Sequence, residues 1–228
     1  MRPPPRRLPR HVAVIGAAGG LGQGILRACR MWGVRFTAIV RSRPERVTQL
    51  PAGSRVAVVP SLADADALTG ALFGADAVIT AIGVTATSRE RSALLSANMD
   101  VVEDAMLVAG VDRIVLVNTL LSSPPGQPAS RAMRFFGAMP GTIGRGAREQ
   151  RAVIEALGDG AFSCLRWTVV RAATNARGRN EAPLASAEWD GALNSWSPVS
   201  YECMGAWMLE EAAANRFVRA APLVSRRR

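Results

Sequence analysis

Three glycines near the start of the chain have the spacing of a nucleotide-binding turn. Gly16, Gly19 and Gly22 follow the apolar run HVAVI and open a segment with helical periodicity. In a GxxGxxG turn the first glycine permits a tight bend, the second lets backbone approach a pyrophosphate, and the third lets helix and strand pack closely. This context favours dinucleotide binding over a purely structural turn. The predicted phosphate site comprises Gly16, Ala18, Gly19, Gly20, Leu21 and Gly22.

The end of the second apolar run predicts which dinucleotide binds. A carboxylate at this place accepts from the ribose 2′-hydroxyl of NAD, whereas an arginine accommodates the 2′-phosphate of NADP. Here the run VRFTAIV is followed by Arg41, Ser42 and Arg43, and no acidic residue occurs before Glu45. Guanidinium groups bind phosphate in bidentate geometry, and the serine hydroxyl adds a hydrogen bond. We therefore expect NADP(H) rather than NAD.

Other reactive side chains are few. The single histidine, His11, stands at the head of a strand pattern with no carboxylate or cysteine near it, which favours a structural role. Cys29, Cys164 and Cys203 show neither a disulfide pattern nor metal-ligand spacing. We expect three buried thiols and no metal site.

The net charge of +10 does not by itself indicate nucleic-acid binding. Seven of the 28 basic residues, all arginines, lie in the proline-rich head and the last three residues. Such segments bury too little apolar area to stay ordered, so residues 1–10 and 225–228 are expected to be flexible. No nucleic-acid-binding motif, membrane-length apolar run or secretion signal occurs. We expect a cytoplasmic protein that binds neither nucleic acid nor membrane.

Short apolar runs alternate with segments of helical periodicity. The runs are HVAVIG, VRFTAIV, SRVAVVP, ADAVITAIG, DRIVLVNT and FSCLRWTVVR. This alternation is typical of a parallel sheet flanked by helices. We predict a single α/β domain over 1–228, with a doubly wound, mostly parallel Rossmann sheet, helices on both faces and a small C-terminal region covering the substrate. Later helices are predicted at about 147–157 and 201–215, with a short strand near Phe217.

Two irregular segments interrupt this alternation. Residues 119–146 and 172–200 are rich in Gly, Pro and Ser, and connections of this length are more often functional than idle. We predict that both cover a pocket with an apolar, aromatic wall, which suits a planar small-molecule substrate such as a quinone or flavin. An equally weighted alternative is that these side chains only pack the loops against the body. The predicted substrate contacts are Phe135, Phe136, Trp189 and Trp196.

Several segments together resemble a known family. VAVIGAAGGLGQGIL, VRSRPERV, GADAVITAIG, GVDRIVLVNT and LRWTVVRAA span about Val12 to Ala173. They are similar to the atypical short-chain dehydrogenases, especially the NAD(P)H-binding group that includes NmrA-like proteins and the flavin and biliverdin-IXβ reductases. Their order and spacing imply the same fold. Because this family includes reductases, isomerases and sensors, the resemblance implies no single activity.

The resemblance also implies further cofactor contacts. The loops after the fourth and fifth predicted strands should pass beside the cofactor, where Gly83 lets the chain approach closely. The turn after the third strand resembles the adenine-contacting turn, although Pro60 and Ser61 replace the usual Gly-Asp. The implied contacts are Ser61, Leu62, Thr80, Ala81, Ile82, Gly83, Asn118 and Thr119.

Orthodox short-chain dehydrogenases protonate a carbonyl with a tyrosine activated by a lysine four residues later. This chain has one tyrosine, Tyr201, and no lysine, which excludes that mechanism. Thr119 stands where the family often carries a Ser or Thr that polarises the substrate, and it is the catalytic candidate; a local hydrogen bond to backbone is the alternative. The helix GAREQRAVIEAL resembles the one bearing the orthodox pair. Its charges Arg148, Glu149 and Arg151 are expected to be solvated; the alternative is that an arginine here fixes a ribose or stabilises a developing oxyanion.

Three functions follow from these observations. The first is an NADPH-dependent oxidoreductase acting on a planar or aromatic carbonyl, quinone or flavin-like acceptor. The second is an NmrA-like sensor or auxiliary protein that binds dinucleotide without turnover and then a protein partner or a second copy of the chain. The third is a non-redox epimerase or coupling enzyme. We weigh the oxidoreductase highest.

Overall fold

The computed structural model describes residues 8–82, 95–187, 193–194 and 196–228. Its strands are β1 (His11–Ile15), β2 (Arg35–Val40), β3 (Arg55–Val58), β4 (Ala77–Thr80), β5 (Arg113–Thr119), β6 (Arg166–Ala172), β7 (Thr174–Asn175), β8 (Leu184–Ser186), β9 (Leu193–Asn194), β10 (Val199–Ser200) and β11 (Leu223–Arg227). Its α-helices are α1 (Gly20–Trp32), α2 (Ala65–Leu72), α3 (Met99–Val108), α4 (Arg131–Ala138), α5 (Gly141–Gly158) and α6 (Tyr201–Ala214). Short 3₁₀ helices cover Pro44–Arg46 and Ser96–Asn98.

The main sheet has the order β3-β2-β1-β4-β5-β6-β11-β8, and β9 also pairs with β11. Strands β1 to β6 pair in parallel, β11 is parallel to β6, and β8 and β9 are antiparallel to β11. The predicted doubly wound, mostly parallel Rossmann sheet is confirmed. The strand order reverses between β1 and β4, which is where such sheets bind their ligands.

Hydrophobic cores lie on both faces of the sheet because successive strand residues point to opposite sides. Val12 and Val14 of β1 pack with α1 and α6, whereas Ala13 and Ile15 pack with α2, α3 and α5. All five residues of β1 are buried. This two-sided burial explains why the strands appear as continuous apolar runs rather than as alternating ones. Within the described residues, no helix is both long enough and apolar enough to cross a membrane.

Helices α1 and α6 cross at backbone distance. A Cβ atom on Gly24 would overlap the carbonyl oxygen of Tyr201, and one on Gly205 would lie 2.5 Å from the backbone nitrogen of Ile25. The absence of side chains at the two glycines therefore sets the approach of the helices. An exposed ion pair between Arg27 and Glu202 also joins them.

The first irregular segment contains more helix than its composition predicts. The Ser130 hydroxyl accepts from the backbone nitrogen of Met133 (3.1 Å) and starts α4, while donating to the carbonyl of Leu121 (2.6 Å). Helix α5 begins at Gly141, six residues before the predicted start. A Cβ at Gly144 would overlap the carbonyl oxygen of Met139, so the glycine permits the tight α4–α5 turn. Sequence propensity underestimated these helices because capping and close packing offset the glycines.

The C-terminal strand is a correction to the sequence analysis. Residues 216–219 near Phe217 form a turn, and the strand follows at Leu223–Arg227, including part of the tail that was predicted to be flexible. Leu223 and Val224 are buried, and β11 lies between β6 and β8. Strand pairing and two apolar side chains thus outweigh the three terminal arginines. Of the predicted flexible head, residues 1–7 lie outside the described residues.

Candidate functional site

The glycine turn between β1 and α1 is held tightly. Gly16 has a positive φ of 85°, and the backbone nitrogens of Gly16 and Ala17 donate to the carbonyl of Ile39 at 3.0 and 3.2 Å. A Cβ on Gly22 would overlap the Gly16 carbonyl oxygen. The first glycine thus makes the bend and the third permits close packing, as the spacing predicts.

The N-terminus of α1 can hold an anion. The first N–H groups of a helix have no partner within the helix. In α1 the N-cap is Gly19, which has no capping side chain, and no acidic residue lies in the first turn. The helix dipole adds positive potential there, and no carboxylate in the first turn would repel a phosphate. The turn therefore fits the pyrophosphate of a dinucleotide.

A cavity of about 720 Å³ opens at this helix terminus. It runs from Gly19, Gly20 and Leu21 past the ends of β4, β5 and β6 to α4 and α5. The described lining contains no Asp, Glu, His, Cys, Lys or Arg side chain. Its polar side chains are those of Asn118, Thr119, Thr142, Gln150, Thr174, Asn175, Tyr201 and the exposed Trp196 indole. Its larger apolar side chains are Leu21, Ile82, Val117, Leu121, Met133, Phe136 and Ile143.

The arginines after β2 lie next to the glycine turn and outside the cavity. Arg41, Ser42 and Arg43 are exposed. They directly follow the strand whose Ile39 carbonyl anchors the turn. Gln23 of α1 donates to the carbonyls of Ala17 (3.0 Å) and Arg46 (3.2 Å), which ties the loop to the turn. This placement suits an exposed ribose phosphate at the adenosine end of a cofactor.

Only some of the cofactor contacts predicted after β3 and β4 line the cavity. Ala81 and Ile82 line the cavity, whereas the Thr80 side chain is buried in the sheet. Ser61 accepts from the backbone nitrogen of Ala63 (3.2 Å), and neither Ser61 nor Leu62 lines the cavity. The remaining predicted contact in this loop, Gly83, lies outside the described residues.

Asn118 and Thr119 both line the cavity, but they differ in whether their side chains are free to hydrogen-bond a ligand. The Asn118 amide donates to the Gln150 carbonyl (3.0 Å), and its oxygen accepts from the Thr119 nitrogen (2.7 Å) and the Ser122 hydroxyl (2.6 Å). Asn118 therefore joins β5 to α5. The Thr119 hydroxyl accepts a long 3.4 Å hydrogen bond from the Leu121 nitrogen, and its own proton stays available for a ligand.

The predicted aromatic wall is partly assembled. Phe136 and Trp196 line the cavity from the two covering segments, and Trp196 is 77% exposed. Phe135 does not line it: the side chain is 66% exposed and packs edge-on against Phe136 at 5.5 Å between ring centroids. Trp189 lies outside the described residues.

Of the three charges on α5 that were predicted to be solvated, only Glu149 is buried. Glu149 is buried and accepts from the backbone nitrogens of Leu95 (2.9 Å) and Ser96 (3.0 Å), so it anchors the start of α3. Arg148 donates to the Gly137 carbonyl (2.6 Å). Arg148 and Arg151 are both exposed, as expected, and Arg151 forms an exposed ion pair with Glu155. These charges are structural because their partners belong to the protein itself.

Two other polar residues have structural partners. His11 contacts the Thr37 hydroxyl at 2.9 Å, and burial lowers the pKa of its imidazole. Arg171, at the end of β6, donates to the carbonyls of Ala221 (2.7 Å) and Ser122 (3.1 Å), and burial lowers the pKa of its guanidinium. Neither side chain lines the cavity.

The three thiols differ in exposure. Only Cys29 is fully buried, and burial raises its pKa to about 12. Cys164 is exposed and Cys203 is partly buried, which corrects the expectation of three buried thiols.

Sequence reasoning missed Tyr201 and Gln150 as cavity residues. Tyr201 reaches the glycine turn only because α6 crosses α1. Gln150 lines the cavity because α5 packs beside the end of β5, where the Gln150 carbonyl accepts from the Asn118 amide. The small residues Gly24 and Gly205, each in a helical segment, were the available signal for the first. No local pattern marked the second.

A family comparison agrees with this geometry. A family model described as NAD(P)H-binding matches residues 16–188, from the first glycine of the turn to the second covering segment. The chain belongs to this family. The resemblance to atypical short-chain dehydrogenases is thereby confirmed, and the residues of the turn fit the coenzyme that the family binds.

Solved structures share the fold of this NAD(P)H-binding protein over nearly its whole length. A proposed NADH-flavin reductase from Streptococcus pneumoniae is 20% identical, with a TM-score of 0.71 and coverage of 95% of this chain and 99% of that one. A proposed epimerase from Bacteroides thetaiotaomicron is 20% identical, with a TM-score of 0.72 and coverage of 96% and 98%. A short-chain dehydrogenase/reductase from Veillonella parvula in complex with NADP is 18% identical, with a TM-score of 0.63 and coverage of 96% and 95%.

These likenesses establish the Rossmann fold and select no individual activity. The comparison with curated proteins gave no match.

Proposed function

We propose that this protein is an NADPH-dependent oxidoreductase that reduces a planar or aromatic acceptor of the carbonyl, quinone or flavin class. The observation that carries the proposal is the continuous cavity, which starts at the glycine turn and ends at Phe136 and Trp196 without a charged side chain in its described lining. Such a wall binds a flat, neutral molecule through apolar contact and excludes water around it.

The preference for NADPH rests on the residues after β2. Arg41 and Arg43 stand where a carboxylate would bind the ribose of NAD, and both are exposed beside the turn. Two guanidinium groups and the Ser42 hydroxyl offer charge-assisted hydrogen bonds to a 2′-phosphate. The structural neighbour from Veillonella parvula, which is in complex with NADP, is consistent with this preference.

The chemistry divides between coenzyme and protein. When bound, NADPH supplies the hydride. The α1 terminus holds the pyrophosphate, and the Thr119 hydroxyl donates to the acceptor oxygen or nitrogen that gains negative charge. The described lining offers no acid that titrates near neutral pH, so the accompanying proton comes from water. Quinones and flavins suit such a site because their reduced anions are stable until solvent protonates them.

The test is NADPH oxidation with a panel of quinones and flavins under multiple-turnover conditions. We expect at least one acceptor to be reduced with NADPH preferred over NADH. If NADPH binds but no acceptor oxidises it, the assignment as a reductase would be overturned. Calorimetry showing no binding of either reduced coenzyme would overturn the cofactor assignment as well.

The alternative is a sensor that binds dinucleotide without turnover. Exposed apolar side chains around the cavity mouth favour it: Phe135, Ile143 at 58% exposure, and Trp196 could contact a protein partner or a second copy of the chain. Equal affinity for NADP and NADPH, together with no turnover, would support it. A non-redox epimerase is less favoured because epimerisation needs acid and base groups, which the described lining lacks.

A further inference from the structure

The Tyr201 ring occupies the place of a missing side chain at the glycine turn. A Cβ atom on Gly20 would lie 2.5 Å from Cε2 and 3.1 Å from Cζ of Tyr201. Gly20 is the first residue of α1, and Tyr201 is the first residue of α6. The aromatic ring therefore covers the first turn of the helix that faces the cavity.

Two independent contacts fix the ring there. The crossing at Gly24 places the Tyr201 backbone against α1, because any side chain at residue 24 would overlap the Tyr201 carbonyl. The Ser200 hydroxyl accepts from the Cys203 nitrogen (3.2 Å) and fixes where α6 begins. The position of Tyr201 over the turn is thus determined by backbone packing rather than by its own side chain.

The Tyr201 hydroxyl has no hydrogen-bond partner in the described part of the chain, although the residue is partly buried and lines the cavity. The phenol hydroxyl of a residue that lines the cavity can donate one hydrogen bond to a ligand there. The ring lies against Gly20, the first residue of α1, and the backbone N–H groups of that helix terminus themselves attract an anion. A phosphate oxygen at this terminus would accept hydrogen bonds from the Tyr201 hydroxyl and from the backbone N–H groups.

We propose that Tyr201 is a cofactor ligand: its hydroxyl donates a hydrogen bond to the pyrophosphate, and its ring covers the phosphate from α6. This inference rests on the proposed NADPH binding. It assigns to the C-terminal helix a contact that the glycine turn cannot make, because the turn carries no side chain at Gly20. Tyr201 is a binding residue and transfers no proton.

The first test separates the pyrophosphate contact from a structural effect. Tyr201→Phe removes only the hydroxyl, and calorimetry would measure its affinity for NADPH and for adenosine 2′-monophosphate, which lacks a pyrophosphate. We expect NADPH to bind about ten-fold more weakly, because hydrogen bonds to charged groups have this magnitude. Adenosine 2′-monophosphate should bind as it does to the wild type. Unchanged NADPH affinity, or equal weakening of both ligands, would overturn the proposal.

The second test asks whether residue 20 and the ring share one space. Gly20→Ala should displace the ring and weaken NADPH binding to a similar extent. In a Tyr201→Ala background the same substitution should have no further effect, since contacting residues are not additive. Additive losses would overturn the contact. Wild-type protein that fails to bind NADPH would instead overturn the proposed function, so the two failures are distinguishable.

Discussion

The two ends of the cavity are built by different means. At the phosphate end, the binding groups are backbone N–H groups, and glycines at positions 20, 22 and 24 allow the turn, α1 and α6 to approach closely. At the opposite end, the wall consists of exchangeable side chains from α4, α5 and the segment before α6, among them the exposed Trp196. The difference indicates that cofactor binding tolerates little change, whereas substrate choice can change through single surface residues.

The largest expected effect tests the backbone packing at the phosphate end. Gly24→Ala places a methyl group in the Tyr201 carbonyl, so we expect a loss of about 3 kcal/mol in unfolding free energy and a fall of roughly 9 °C in Tm. Gly70→Ala is the matched control, because a Cβ there meets nothing within 4 Å. That variant should gain up to about 1 kcal/mol. Equal Tm values for the two variants would contradict the helix crossing.

The next effect concerns the coenzyme at the same end. Arg41→Asp places a carboxylate beside the expected 2′-phosphate, and we expect NADPH to bind about 10- to 100-fold more weakly. NADH should bind equally well or better, because a carboxylate accepts from the ribose hydroxyl. Arg151→Asp, which makes the same charge change on α5, is the control and should leave both affinities unchanged. Parallel titrations with both coenzymes measure this, and a proportional loss of both would refute the 2′-phosphate contact.

A smaller effect is expected at the substrate end. Trp196→Ala removes an exposed aromatic side chain from the cavity mouth, so we expect KM for the acceptor to rise about five-fold while NADPH affinity is unchanged. Phe73→Ala is a control, since Phe73 is an exposed aromatic residue at the end of α2 and does not line the cavity. Steady-state kinetics would measure KM for the acceptor in both variants. A change in NADPH affinity rather than in KM would place Trp196 at the cofactor.

The smallest expected effect is that of pH on hydride transfer. Because the described lining has no Asp, Glu, His, Cys, Lys or Arg side chain, single-turnover NADPH oxidation by a quinone should be constant between about pH 6 and about pH 8. Stopped-flow rates across this range measure it. A bell-shaped profile would reveal an acid or base at the substrate end and remove the contrast between the two ends.

The same contrast describes what the sequence could predict. The glycine turn and the strand alternation are local patterns with fixed spacing, so the sheet and the turn between β1 and α1 could be predicted from them. The prediction of a flexible C-terminal tail was wrong. The terminal arginines suggested disorder, whereas the buried Leu223 and Val224 belong to a strand that pairs with strands distant in sequence. Strand pairing of this kind is a tertiary effect that composition does not encode.

At the opposite end of the cavity, the sequence predicted the apolar, aromatic character of the wall but not all the residues that form it. Phe136 and Trp196 were expected in the wall, whereas Thr142 lines it because α5 starts at Gly141, and Gln150 lines it because α5 packs beside β5. Asn118 was expected beside the cofactor; it lines the cavity, and its amide also joins β5 to α5. The partner of Asn118 lies 32 residues away along the chain, beyond the reach of a local sequence pattern.

The crossing of α1 with α6 has a consequence for folding order. It joins the first and last helices of the described chain, so it is among the contacts of highest sequence separation and should form late. A refolding intermediate that has the parallel sheet but an undocked last helix would bind coenzyme poorly. Coenzyme fluorescence during refolding would therefore follow the docking of that helix.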